Sequence, residues 1–305
     1  GVSGEVCDTG LTHTCDLLSL NMAEILNDRK LLEYAVRKGI RALDNSMDIT
    51  TTPSPEANRH NATFRTVGLG TVGIADWMAY NKLSYVKEQD WGKLEALFET
   101  IAFIAFDESC EIAKEKGTFL YYDKANFKDG ILLGKTAEQL MKDSIANLPW
   151  DKLINKIKIH GIANMLLFSP APNTSTAVLM GASASYLPVF SRFNYETMSN
   201  MAVPVIPKFI KDRFWYYNES FTIPTEKIIK LTTRLQKWVD TGMSMELIIN
   251  PEITDIKKIS DALIKGFKEG LKTVYYSRTL DLSKKNSDDS DIDDKPEVSC
   301  IGCAN

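Results

Sequence analysis

The residues best suited to chemistry close the chain: Cys300 and Cys303, separated by two residues. They follow a stretch from Ser283 to Ser299 that carries Asp288, Asp289, Asp291, Asp293, Asp294 and Glu297 and almost nothing apolar. Such a segment cannot bury enough surface to offset its ordering entropy, so residues 283–305 read as a flexible acidic tail. The two-residue spacing closes readily into a disulfide and often gives one thiol a lowered pKa. That suggests a redox arm that collects a disulfide inside a site and swings out to be reduced. A lone CxxC is also half of a zinc site, a lesser reading because Cys7 and Cys15, which could supply the other half, lie at the opposite end of the chain, and a tail with incidental cysteines is a third reading. Cys15 opens the apolar run His13–Asn21, where a small buried hydrophobe is the default. Cys110 falls inside a helical pattern as packing, and Cys7 has no evident partner. His13, His60 and His160 share no metal-ligand spacing, and no metal is expected.

Three further motifs carry weight. Pro172-Asn173-Thr174-Ser175-Thr176 precedes the small, apolar run Ala177–Ala184, which can begin a helix. Free backbone N–H groups and hydroxyls at a positive helix end suit a phosphate, although an ordinary N-cap explains the same residues. Gly68-Leu69-Gly70-Thr71-Val72-Gly73 matches the dinucleotide fingerprint, with Glu88 and Asp90 near the required separation. Those acids lead into a helix rather than ending a second strand, so the glycines are expected to serve close packing of strand and helix. Tyr275-Tyr276 lies in a strand pattern, where neighbours face opposite sides. One core and one surface tyrosine is the expectation, and stacking the two phenols would need a local distortion.

The elements that must hold these residues alternate. Strands are expected at Thr14–Leu20, Phe64–Leu69, Ala163–Phe168, Ser244–Ile249 and Thr273–Arg278. Helices are expected at Ala23–Met47, Ile74–Leu83, Trp91–Lys116 (ended by Gly117), Ala137–Leu148, Trp150–Ile159, Thr225–Asp240 and Asp255–Leu271. Thr50–Ala62, with Pro53 and Pro55, reads as a loop. Strands separated by helices favour parallel pairing, hence α/β. Five strands form an open sheet or part of a larger barrel. At 305 residues and 44% hydrophobic, the chain can bury a large core. Its 36 basic and 40 acidic residues give −4, a balance that implies no polyanionic partner such as nucleic acid. There is no run of about 18 apolar residues and no signal-peptide pattern. Five cysteines without a dense framework fit a reducing compartment, so a cytoplasmic location without a membrane partner is expected. The sequence starts at Gly1, which reads as a chain cut from something longer.

In order, Thr14–Asn21, Arg65–Gly73, Ala171–Thr176 with Leu187-Pro188, Lys272–Thr279 and the CxxC tail form a set. This set resembles the C-terminal half of the ribonucleotide reductase large (catalytic) subunit, class I, across essentially all of the chain. The resemblance implies a fold: residues 1–282 as the five-stranded C-terminal half of a ten-stranded α/β barrel, followed by the tail. It also implies that the chain takes part in reducing ribonucleoside diphosphates by a radical mechanism. Cys15 then matches a cysteine that delivers electrons to the ribose and ends in a disulfide. Cys300 and Cys303 match the pair that re-reduces it, itself reduced by thioredoxin or glutaredoxin. Asn173, Thr174, Ser175 and Thr176 match the loop that holds the substrate's phosphates. Tyr275 and Tyr276 match a radical relay fed by a separate, metal-containing small subunit, with no cofactor on this chain. The tether fits this role, since its 24 residues from Tyr276 to Cys300 span about 25–30 Å as a flexible coil. The family's Asn-x-Cys-x-Glu finger loop does not occur in this sequence. An N-terminal companion chain that supplies the thiyl-forming cysteine and completes the barrel is therefore expected. The rival readings are an adenosylcobalamin-dependent class II fragment, which needs no tyrosine pair, and a non-catalytic half that binds a nucleotide or partner.

Overall fold

The computed structural model describes residues 11–198 and 201–280 together with the backbone of 298–300. Its elements, in order, are β1 (Leu17–Asn21), α1 (Met22–Ile25), α2 (Arg29–Ile49), α3 (Pro55–Phe64), β2 (Gly68–Val72), α4 (Ile74–Tyr80), α5 (Trp91–Lys116), α6 (Ala137–Asp143) and α7 (Trp150–His160). They continue with α8 (Thr174–Leu179), β3 (Asn194–Met198), β4 (Met201–Val205), α9 (Ile210–Arg213), α10 (Thr225–Gln236), β5 (Leu247–Ile249), α11 (Ile256–Lys268), β6 (Ser277–Leu280) and β7 (Val298–Cys300).

The molecule is mixed α/β, but its strands fall into three short sheets instead of one of five strands. β1 pairs parallel with β2 (Leu17 opposite Gly68), β3 pairs antiparallel with β4, and β5–β6–β7 form the third. The expected strand Ala163–Phe168 is instead an extended segment with a single parallel bridge, Phe168 to Leu69. Backbone bonds join it to residues 67–69 (Val67 N to Leu166 O at 3.0 Å, Leu69 N to Leu167 O at 2.7 Å, Ser169 N to Leu69 O at 2.7 Å), while the Asp240 carboxylate accepts the Leu167 and Phe168 N–H groups at 2.7 and 2.8 Å. The Asn164 N–H goes to Ser109 Oγ at 3.1 Å. Side chains thus take some of the donors that a regular ladder would pair, and the pairing with β2 stays short.

The core lies between the β1–β2 pair and a helical layer. Leu32, Val36, Ile40 and Leu43 line one face of α2 at spacings of four, four and three residues, and α5 runs behind them with Leu94, Phe98, Ile101 and Ala105 buried. The expected helix Ala23–Met47 is two helices, because Asp28 interrupts it and caps α2 by accepting the Leu31 N–H at 2.9 Å. The expected loop Thr50–Ala62 contains α3: Ser54 caps it and Pro55 is its first helical residue, where a missing N–H costs nothing. Among the described residues, no helix is long and apolar enough to cross a membrane.

The glycine segment allows close packing, chiefly of strand on neighbouring backbone. A Cβ on Gly70 would stand 2.8 Å from the Ser169 carbonyl, and one on Gly73, at φ +76°, 2.7 Å from the Ala23 nitrogen. Gly70→Ala is therefore expected to cost about 1–3 kcal/mol of stability, read as a lower urea midpoint. An unchanged midpoint would mean that the 169–171 backbone yields without strain.

Candidate active site

β1 anchors the site. Cys15 stands two residues before the strand and is an exposed thiol, against the expectation of a buried one. Four residues on, at roughly 3.3 Å per residue or about 13 Å along the strand, Ser19 accepts a 2.6 Å hydrogen bond from Asn173 Nδ2. Asn21, at the end of β1, caps α1 by accepting the Ala23 N–H, and its own Nδ2 donates to the Met180 carbonyl at 3.1 Å. Both ends of α8 are thus tied to the strand that follows Cys15.

Asn173 adopts the left-handed conformation (φ +53°), which asparagine tolerates. It precedes α8, yet its side chain bonds to Ser19 instead of capping the helix, so the ordinary N-cap reading fails. Thr174, Ser175 and Thr176 are exposed on the first turn of α8. Thr174 and Ala177 line one wall of a cleft of about 850 Å³, counted to its open mouth. The other walls include Ser183, Phe190, Ile206 and Glu246. Burial lowers the pKa of His13, two residues before Cys15. Burial pushes the Asp16 carboxyl up, opposed by the Ser46 hydroxyl that donates to it at 2.7 Å. In α5, burial raises the Cys110 thiol to about 11, consistent with a packing role.

The tyrosine pair departs from the expectation of opposite faces. The Tyr275 and Tyr276 rings lie 3.9 Å apart between centroids, tilted by 38°, and both residues are half-buried. The distortion that this requires is present, since the two residues precede β6 and are not in regular strand. The Tyr275 N–H donates to Met245 O at 2.8 Å, and Tyr276 O accepts from Leu247 N at 2.7 Å. Two residues on, Arg278 forks onto Glu246 of the cleft wall at 2.8 and 3.3 Å. Its guanidinium lies 5.1 Å from the Phe190 ring centroid and 6.0 Å from that of Tyr276. The cleft and the tyrosine pair therefore share one ion pair.

The backbone of β7 runs antiparallel to β6 with Cys300 opposite Arg278. Cys303, Cys7 and residues 283–297 lie outside the described residues. Among the described residues, no group of three or more His, Cys, Asp or Glu side chains is arranged to hold a metal. Sequence reasoning missed Asp76 and Asp240, which bond backbone on distant segments. Asp240, whose carboxyl desolvation raises to about 6 against the pull of its N–H donors, fixes the segment leading to Pro172. For Asp76, the available signal was a lone acid in the otherwise apolar turn Ile74–Met78.

The ribonucleotide reductase barrel-domain family matches residues 5–212 and 194–277, and this chain belongs to that family. It is similar to the ribonucleoside-diphosphate reductase subunit alpha of Synechocystis, 35% identical over 96% of this chain and 38% of the relative. The subunit of that name from Helicobacter pylori strain 26695 is 27% identical over 99% of the chain and 39% of the relative. That of Bacillus subtilis is 26% identical over 90% and 41%. The chain spans about two fifths of the length of these relatives.

Proposed function

We propose that this chain forms the C-terminal half of the catalytic barrel of a class I ribonucleoside-diphosphate reductase. The observation that carries the reading is the Asn173–Ser19 hydrogen bond, which joins the phosphate-loop candidate to the strand that Cys15 introduces. In the proposed reaction the 2′-hydroxyl of a ribonucleoside diphosphate leaves as water and hydrogen takes its place. Two thiols, Cys15 and a partner outside these residues, supply two electrons and two protons and become a disulfide. Cys300 and Cys303 then reduce that disulfide by exchange, and thioredoxin or glutaredoxin reduces them in turn. Asn173 orients the loop, and Thr174, Ser175 and Thr176 donate to the phosphates. Tyr275 and Tyr276 pass the oxidising equivalent from a metal-containing small subunit, and this chain binds no cofactor of its own. The thiyl-forming cysteine comes from an N-terminal segment that supplies the Asn-x-Cys-x-Glu run and the other half of the barrel. The assembly works in the cytoplasm. An adenosylcobalamin route has no use for contacting tyrosines, and a binding module has no use for the thiols.

The test is reduction of radiolabelled CDP with the cognate small subunit, with and without the N-terminal segment. Activity is expected only with both. Cys303→Ser is expected to keep dithiothreitol-driven turnover within about twofold while thioredoxin-driven turnover falls at least about tenfold, because the tethered thiol no longer completes exchange. Sustained thioredoxin-driven turnover by that variant would remove the tail from the mechanism.

A further inference from the structure

Asp76 is fully buried in α4, just past the glycine segment. Its Oδ2 accepts the Ser183 N–H at 2.6 Å, while Oδ1 accepts the Lys208 N–H at 3.1 Å and the Tyr217 hydroxyl at 2.6 Å. Its own N–H donates to Ser183 Oγ at 3.3 Å, and the Gly73 N–H donates to the Ser183 carbonyl at 2.6 Å. The Lys208 ammonium pairs with Glu24 instead. The carboxylate therefore gathers neutral donors from three separate segments in a dry site, where charge-assisted hydrogen bonds are strong. Desolvation and the nearby Asp76 charge push the Tyr217 phenol well above its usual range, so it remains a donor.

Two of those segments belong to, or directly continue, the lining of the cleft. Ser183 belongs to the 182–185 wall that follows α8, and Lys208 continues the 205–207 wall. Next to Ser183, Ala182 packs with Ala177 of α8 and with Ala23 and Val72 beneath it. We propose that Asp76 is a positioning residue: its carboxylate ties the two walls of the cleft together and so holds α8, with Thr174, Ser175 and Thr176, in place against β1. The tie itself stands on geometry, and its kinetic consequence rests on the phosphate-loop reading above.

Amide hydrogen exchange on the 305-residue chain tests the tie, comparing wild type, Asp76→Asn and Tyr217→Phe. Asparagine keeps the size but leaves one acceptor oxygen for donors that occupy two. In Asp76→Asn, amides of 183–185 and 208–210 are expected to exchange at least about tenfold faster while those of α5 keep their rates. The Tyr217 hydroxyl donates to Oδ1 and itself accepts the Phe209 N–H at 3.1 Å, so Tyr217→Phe is expected to loosen 208–210 on both counts and leave 183–185, which Oδ2 holds, within about twofold. In the reductase assay, Asp76→Asn is expected to raise KM for CDP at least about tenfold with kcat within about twofold. Wild-type exchange at 183–185 and 208–210 in Asp76→Asn, or equal loosening of α5, would overturn the inference. If Asp76→Asn does not fold, the split pattern in Tyr217→Phe decides: both segments unchanged, or both loosened alike, would overturn it. Active wild type with an unchanged KM in Asp76→Asn would reject the hold on α8. Wild type inactive towards CDP would reject the reductase reading and leave the exchange result standing.

Discussion

Glu99→Ala is expected to destabilise the fold by about 3–5 kcal/mol, because it strips a buried carboxylate from the donors that it alone satisfies. Glu99 sits in the middle of α5 and is fully buried. Its Oε2 accepts the Ile145 and Ala146 N–H groups, each at 2.8 Å, and its Oε1 accepts the Trp150 indole N–H at 2.9 Å and the Ser144 hydroxyl. These donors form the connection between α6 and the first residue of α7. Trp150 in turn stacks on Trp238 with 5.7 Å between centroids and meets Phe103 edge-on at 5.1 Å. Alanine leaves four donors facing a cavity, so the aromatic stack loses its anchor as well as its hydrogen bond. Differential scanning fluorimetry is expected to show a fall on the order of 10 °C. Glu99→Gln, which keeps one acceptor oxygen and the side-chain volume, should lose less. Glu111→Ala, on the same helix but in a partly exposed cluster with Lys114 and Lys156, whose partners stay in reach of water, is expected to change stability by only about 1 kcal/mol. Equal effects of Glu99→Ala and Glu111→Ala would show that the α6–α7 connection holds without the carboxylate.

The contrast between Glu99 and α5 itself marks what the sequence could convey. The helix was legible at both ends: the apolar period runs unbroken from Trp91 and stops at Lys116, where Gly117 takes a positive φ. A signal of that kind is local, whereas the backbone that Gly70 and Gly73 pack against, at Ser169 and Ala23, lies far along the chain. Pro55 was misleading because a proline ends a helix or begins one, and only the Ser54 cap distinguishes the two. The third apolar segment meets β2 at a single parallel bridge because Asp240, seventy-odd residues further on, takes the Leu167 and Phe168 donors, which no local period can report. Similarly, Asp76 bonds residues more than a hundred positions away. For the site, the residue types at Cys15, Asn173 and the tyrosines were visible in sequence. Their geometry was not, since Cys15 is exposed and the tyrosine rings meet where the chain leaves regular strand.

That meeting gives the sharpest functional expectation: Tyr275→Phe and Tyr276→Phe are each expected to lower CDP turnover by about 10³-fold or more, at least about 4 kcal/mol on the barrier. A phenol gives up an electron together with its hydroxyl proton, and phenylalanine has no such proton to give. In the proposed relay the two rings, 3.9 Å apart, act in series, so losing either would interrupt the transfer, and the double variant should be no worse than either single one. Folding should be nearly untouched. The bonds that shape the segment are made by backbone, from Tyr275 N to Met245 O and from Leu247 N to Tyr276 O, and phenylalanine keeps both. The residues are half-buried, so losing one hydroxyl hydrogen bond costs about 1 kcal/mol at most. Substrate affinity should also hold within about twofold, since neither ring belongs to α8 or its ties to β1. Arg278 offers an internal control. It reaches the cleft through Glu246 and lies 6.0 Å from the Tyr276 ring, so Arg278→Gln should weaken turnover without abolishing it. Full turnover in either phenylalanine variant would take the tyrosines out of the chemistry. If turnover is instead lost with the small subunit, its restoration by adenosylcobalamin would identify a different source of the radical, because in the proposed mechanism only the entry of the oxidising equivalent, and not the thiol chemistry at Cys15, depends on the pair.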